Sequence, residues 1–115
     1  MASNKTMRAI DRLRKAANLE ATKKEIILSD GSVFEMWVTP LTLAEREKAQ
    51  RASRNDDLDE LSLRLLLLKA QDENGERMFQ VGEIDILKNE IKNSDLQKLI
   101  LAVLEDKEGP IDPKD

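Results

Sequence analysis

Two hydrophobic rhythms run along this chain. In EIILSDGSVFEMWV, residues 25–38, large apolar side chains alternate with polar ones on either side of an Asp-Gly turn signal, which predicts a β-hairpin. Two registers compete. A two-residue turn at Asp30-Gly31 would set Ile27 opposite Phe34 and mix glutamates with large apolar residues on both faces. A three-residue loop, Ser29-Asp30-Gly31, instead puts Gly31 at the left-handed position such loops require. It pairs Leu28 with Ser32, Ile26 with Phe34 and Lys24 with Met36. One face then holds Ile26, Leu28, Phe34, Met36 and Val38, a clear core face, so this register is preferred. The opposite face carries Ile27, Val33 and Trp37 among Glu25, Glu35 and Thr39. A lone two-stranded hairpin is marginal in water, so it must pack on helices or pair with another chain.

Elsewhere the period is helical. Met7, Ile10, Leu13, Arg14 and Ala17 predict a short helix over residues 6–18 with a narrow apolar stripe. Thr39-Pro40 stops the second strand, since proline cannot donate to the ladder. Thr42 and Glu45 have the spacing of a capping box opening a polar surface helix, LAEREKAQRAS. Arg54-Asn55-Asp56 reads as a loop, and Asp57 with Glu60 caps the next helix, LDELSLRLLLLKAQ. There Leu58, Leu61, Leu65 and Leu68 project on one face, and Leu63, Leu66, Leu67 and Ala70 on another. Ser62 and Lys69 separate them on one flank; Glu60, Arg64 and Gln71 do so on the other. One face must meet the core. The second needs a cover, either the hairpin or another chain.

Asp72-Glu73-Asn74-Gly75 ends that helix, with Gly75 or Asn74 suited to a left-handed stop. Met78, Phe79 and Val81 follow as a short apolar segment. Ile84, Leu87, Lys88 and Ile91 predict a brief helix over residues 83–91. Ser94, with Gln97 completing a second capping box, opens a last helix whose core stripe is Leu96, Leu99, Ile100, Val103 and Leu104. Gly109-Pro110 and the closing IDPKD read as a disordered tail. The expected fold class is α+β: a hairpin followed by a small bundle of about four helices, with an N-terminal helical arm. The expected divisions are a basic arm over residues 1–23, the hairpin and helical domain over 24–109, and the tail over 110–115.

Composition narrows the chemistry. With 115 residues the chain suits one domain, and 3% aromatic content leaves the core to Leu, Ile, Val and Ala. No histidine and no cysteine are present, which removes the commonest acid/base group, thiolate chemistry and disulfides. No window approaches the apolar length that spans a bilayer, and the basic N-terminus lacks the apolar block of a secretory signal. The net charge of −4 disfavours a nucleic-acid module. That charge is uneven: residues 1–24 hold seven Lys/Arg against Asp11 and Glu20, while the remainder has 12 basic and 21 acidic residues. Arg8, Arg12, Arg14 and Lys15 form a basic arm that either meets an acidic partner or lies along its own acidic body.

Candidate metal or catalytic sites are thin. Asp56, Asp57, Asp59 and Glu60 sit at a helix start, where the dipole favours carboxylates. They and DENGE at residues 72–76 lack the ligand spacing of a calcium loop. The four glycines form no phosphate loop. The reading is a non-enzyme, without cofactor or metal, in a cytoplasmic compartment. Its candidate partner-binding residues are Trp37, Ile27 and Val33 on the hairpin and Leu63, Leu66, Leu67 and Ala70 on the leucine-rich helix. Each group has core packing as its alternative.

The succession EIILSDGSVFEMWV, TPLTLAERE, LSLRLLLLKAQ, DENGERMF and SDLQKLILAVLE, over roughly residues 24–105, resembles the tail assembly chaperones of long-tailed bacteriophages. The resemblance implies a protein that coats the helical tape measure protein in the host cytoplasm, keeps it soluble and helps recruit tail tube subunits. It implies a longer frameshifted form alongside the short one, and absence from the finished virion. It names a task and carries over no site residue. Self-association of this chain is a further expectation. The competing readings are a structural virion component, such as a head–tail connector or tail completion protein, and a small nucleic-acid binder acting through the basic arm.

Overall fold

The computed structural model describes residues 8–53 and 57–105. Met7, the Arg54–Asp56 loop and the predicted tail over residues 110–115 lie outside them. Among the described residues the order is α1 (Ala9–Ala16), β1 (Thr22–Ile27), β2 (Val33–Val38), α2 (Leu43–Ala52), α3 (Leu58–Lys69), a single 3-10 turn (Val81–Glu83), α4 (Ile84–Asn89) and α5 (Asn93–Leu104). This is the expected α+β architecture, a two-stranded antiparallel hairpin with helices. The arm helix is shorter than the stripe suggests, and β1 begins at Thr22, so Thr22 and Lys23 belong to the hairpin rather than to the arm.

The hairpin adopts the three-residue loop. Ile26 pairs with Phe34 and Lys24 with Met36, and the Leu28 amide donates to the Ser32 carbonyl at 2.8 Å. Gly31 has φ of 90°, where a side chain would be strained. Ile26, Met36 and Val38 are buried, with Leu28 and Phe34 packed at the edge of the core. Phe34 also stacks on Phe79, ring centroids 6.4 Å apart. At the tip, Asp95 of α5 accepts from the Ser29 amide (2.9 Å) and hydroxyl (2.8 Å), and the Lys98 ammonium donates to the Ile27 carbonyl at 2.8 Å. These bonds hold the tip against the last helix.

α3 is the centre of the molecule. It packs on α2 and α5, while α5 also lies along β1. Leu63, Leu65, Leu66, Leu67 and Ala70 are all buried with Leu87, Leu96, Leu99, Ile100, Ala102 and Val103. A helix covered on most sides has no single apolar stripe, which is why two leucine faces show in its sequence. Only its first turn escapes, with Leu58 75% exposed. Asp57 caps the helix as expected, its carboxylate accepting from the Asp59 and Glu60 amides. Thr42 and Glu45 form the predicted reciprocal capping box of α2.

Three local expectations are corrected. α5 opens at Asn93, so Ser94 lies inside its first turn and caps nothing; the Gln97 amide donates to Asn93 Oδ1 instead. Leu104, expected in the core stripe, faces outward. α3 stops at Lys69 with Ala70 extended, ahead of the glycine. Gly75 (φ 84°) serves a small turn in which Asp72 Oδ1 accepts from the Asn74 and Glu76 amides. That turn closes a rudimentary third strand. Trp37 and Gln71 exchange both backbone hydrogen bonds, at 2.8 and 3.0 Å, and Gln71 bridges onward to Arg77.

Candidate protein-binding surface

The two groups of predicted partner residues part company. Leu63, Leu66, Leu67 and Ala70 line the core between α2, α5 and the hairpin, so they are no binding face. Sequence periodicity could not see that both neighbours of α3 come from the same chain. Ile27 and Val33, by contrast, stand opposite each other on the outer face of the hairpin and are 63% and 55% exposed. Trp37 lies two positions further along the same face, half-buried.

Alternation builds this outer face as a ladder of three cross-strand pairs: Ile27 with Val33, Glu25 with Glu35, and Lys23 with Trp37. Opposed glutamates would repel. Lys23 resolves the conflict, its ammonium 3.2 Å from Glu35 and 3.4 Å from Glu25. Hydrogen bonds to Glu35 and then Glu25 raise the lysine pKa above its usual range. The same ammonium sits 5.7 Å from the centre of the Trp37 ring. The face therefore presents an apolar pair at one end, a bridged cluster of two glutamates and one lysine in the middle and a backbone-anchored indole at the other.

Lys69, assigned from periodicity to a polar flank, is a further correction. Its side chain is 2% exposed, and its ammonium donates to Glu45 Oε1 (2.6 Å), Thr39 Oγ1 (2.6 Å) and the Pro40 carbonyl (3.3 Å). All three donors of the ammonium are used, as burial of a charge demands. Burial alone would push Glu45 up, but the Lys69 ammonium and the Thr42 amide outweigh it and its carboxyl ends below the usual range. The pair ties α2 and the β2–α2 turn to α3. It is structural, since its groups are consumed by one another.

On the far side, two shallow grooves flank Leu63 and Lys88. One, about 220 Å³, lies against Glu60, Arg64, Ile84 and Asp85; the other, about 350 Å³, against Asp59, Leu96 and Ile100. Arg64 pairs with Glu60 at 3.5 Å, and its Nε is buried without a hydrogen-bond partner. The grooves set acids beside bases: Glu60, Arg64, Asp85 and Lys88 in the first, Asp59 and Lys88 in the second. Among the described residues no three acidic side chains converge as metal ligands, and no helix is long and apolar enough to cross a membrane. Arg8, Arg12, Arg14 and Lys15 lie on or beside α1 and are all exposed, Arg14 pairing loosely with Asp11 at 3.7 Å. No family model matches this chain, and neither a curated protein nor a solved structure matches it.

Proposed function

We propose that this protein is a non-catalytic assembly chaperone that binds an extended amphipathic helix, the tape measure protein in phage tail assembly. The observation that carries the reading is the outward Ile27–Val33 pair, with Trp37 at the other end of the same face, on a hairpin held by α5 and by Gln71. Such a client exposes an apolar stripe that aggregates unless covered. A preformed apolar patch bordered by charge covers it with little ordering cost and releases it when tube subunits arrive. Tryptophan suits the anchor role, having a large contact area with few rotatable bonds. The resemblance over residues 24–105 supplies the client's identity and the recruitment of tail tube subunits.

The test is co-expression with a tape measure protein followed by affinity capture. The double variant Ile27→Thr/Val33→Thr, which keeps β-branched side chains and adds no like charges across the strand pair, is expected to lose the client while its urea midpoint stays close to that of the parent. Undiminished capture would move the binding face elsewhere. Stoichiometric presence of the chain in purified particles would replace the chaperone reading with that of a virion component.

A further inference from the structure

We infer that α2 is a latch: it leaves α3 as one unit while the rest of the domain stays folded, and so uncovers the Leu65 side of α3. The inference is independent of the client and of the function proposed above. Within α2 only Glu45 and Ala49 face the body, at i, i+4 spacing, and Ala49 is its single buried residue. Leu43, its one large apolar side chain, is 68% exposed. α5 by comparison buries Leu96, Leu99, Ile100, Ala102 and Val103. Apolar stabilisation follows the area removed from water, and one alanine methyl removes little. The docked position of α2 therefore depends on the polar contact between Glu45 and the buried Lys69 ammonium.

One oxygen does two jobs in that contact. Glu45 Oε1 accepts from the Lys69 ammonium at 2.6 Å and from the Thr42 amide at 3.0 Å. The first bond docks α2 on α3, and the second closes its capping box. Undocking therefore weakens the cap as well, and a ten-residue helix is marginal in water without a surface to pack on. Leaving α3 and melting are one event. Leu65 stands one turn before Lys69 on the same side of α3 and is 4% exposed, so the departure of α2 bares it. Acid favours the open form. Lys69 is the charged group that faces Glu45 across the contact; the β2–α2 turn brings only the Thr39 hydroxyl and the Pro40 carbonyl, both taken by that lysine. On α2 itself Arg46, Glu47 and Lys48 are exposed and form no ion pair with Glu45 among the described residues. Burial works to raise the Glu45 carboxyl, but Lys69 and the Thr42 amide hold it below its ordinary 4.5 while α2 is docked. Once released it returns toward that value, so the open form binds more protons as pH falls.

Native-state hydrogen exchange of the full chain, read by mass spectrometry, tests the latch. Amides of α2 should exchange through an opening that depends weakly on urea, and those of α5 through one as steep as global unfolding. Leu99→Ala on α5 weakens the core in the docked and undocked forms alike. It should speed α5 exchange by about thirtyfold or more and leave α2 exchange within about twofold of the parent. Ile100→Val makes the same comparison with a smaller core loss, should the first variant fold poorly. Glu45→Gln weakens the docked form itself and should speed both helices by about tenfold. Exchange of α2 that rises in step with α5 in the core variants overturns the proposal, because α2 would then open only with the whole domain. Between pH 7 and pH 4, with intrinsic exchange rates divided out, the α2 opening should grow in the parent and much less in Glu45→Gln. An equal rise in both overturns the assignment of the latch to this carboxylate.

Discussion

The leucine-rich helix and the outer face of the hairpin carry comparable apolar side chains and meet opposite fates. α3 is enclosed because two helices and the inner hairpin face reach it from the same chain. On the outer hairpin face the next pair to Ile27 and Val33 is Glu25 with Glu35, and among the described residues both apolar side chains stay in water. The amount of apolar surface does not distinguish them. What does is whether the chain brings a second element across, and a two-stranded sheet followed by helices has only one inner side to fill. Apolar residues on its other side either serve a partner or are an unrecovered cost.

The largest expected break in this contrast is in the core. Leu66→Ala removes a fully buried side chain on α3 and should lower unfolding free energy by about 2–5 kcal/mol in urea titration. Val33→Ala should change it by no more than about 0.5 kcal/mol, since its neighbourhood is solvent. Next comes the polar tie. Lys69→Met leaves Thr39, Pro40 and Glu45 without their shared donor and should cost about 1–3 kcal/mol, part of it recovered by adding Glu45→Gln.

A smaller effect is pH-dependent. The native Glu45 carboxyl is held below its ordinary value of 4.5. Its stabilisation is therefore present above pH 4.5 and is lost as pH falls through the depressed native value. Glu45→Gln should flatten the acid limb of a stability profile recorded from pH 7 down to pH 3 by urea unfolding. Smallest of all is Lys23→Gln. It removes an exposed, solvent-screened bridge between two glutamates and should weaken the hairpin only slightly, the least of these changes. The same change should shift client capture measurably if the hairpin face is the docking surface.

Much of this was legible beforehand. The hairpin register followed from one glycine and strict alternation, and Gly31 and the Ile26–Phe34 pair stand where that reasoning puts them. The Thr42–Glu45 box was equally plain, because its chemistry is local. Lys69 was not. Helical periodicity treats a lysine as solvent-facing, and its three acceptors come from residues 24 to 30 positions away. The third-strand pairing of Gln71 with Trp37 likewise depends on a long-range meeting of two extended residues with no motif of their own. Of the candidate partner residues, Ile27 and Val33 are exposed, Trp37 is half-buried, and the helical set went into the core. A half-buried sheet face can be read from period two, whereas a helix wrapped on several sides shows no stripe that says which side is open.

The position of Trp37 has one more consequence. It is the chain's sole tryptophan, and there is no tyrosine, so the near-ultraviolet emission of the protein arises essentially from one indole. That ring is half-buried, lies under a lysine ammonium and belongs to a residue whose backbone N–H and C=O are both bonded to Gln71. Any molecule settling on the outer hairpin face displaces water from this ring or moves the ammonium above it. A change in emission wavelength or quenching would register that event without a label, making the protein its own sensor of occupancy.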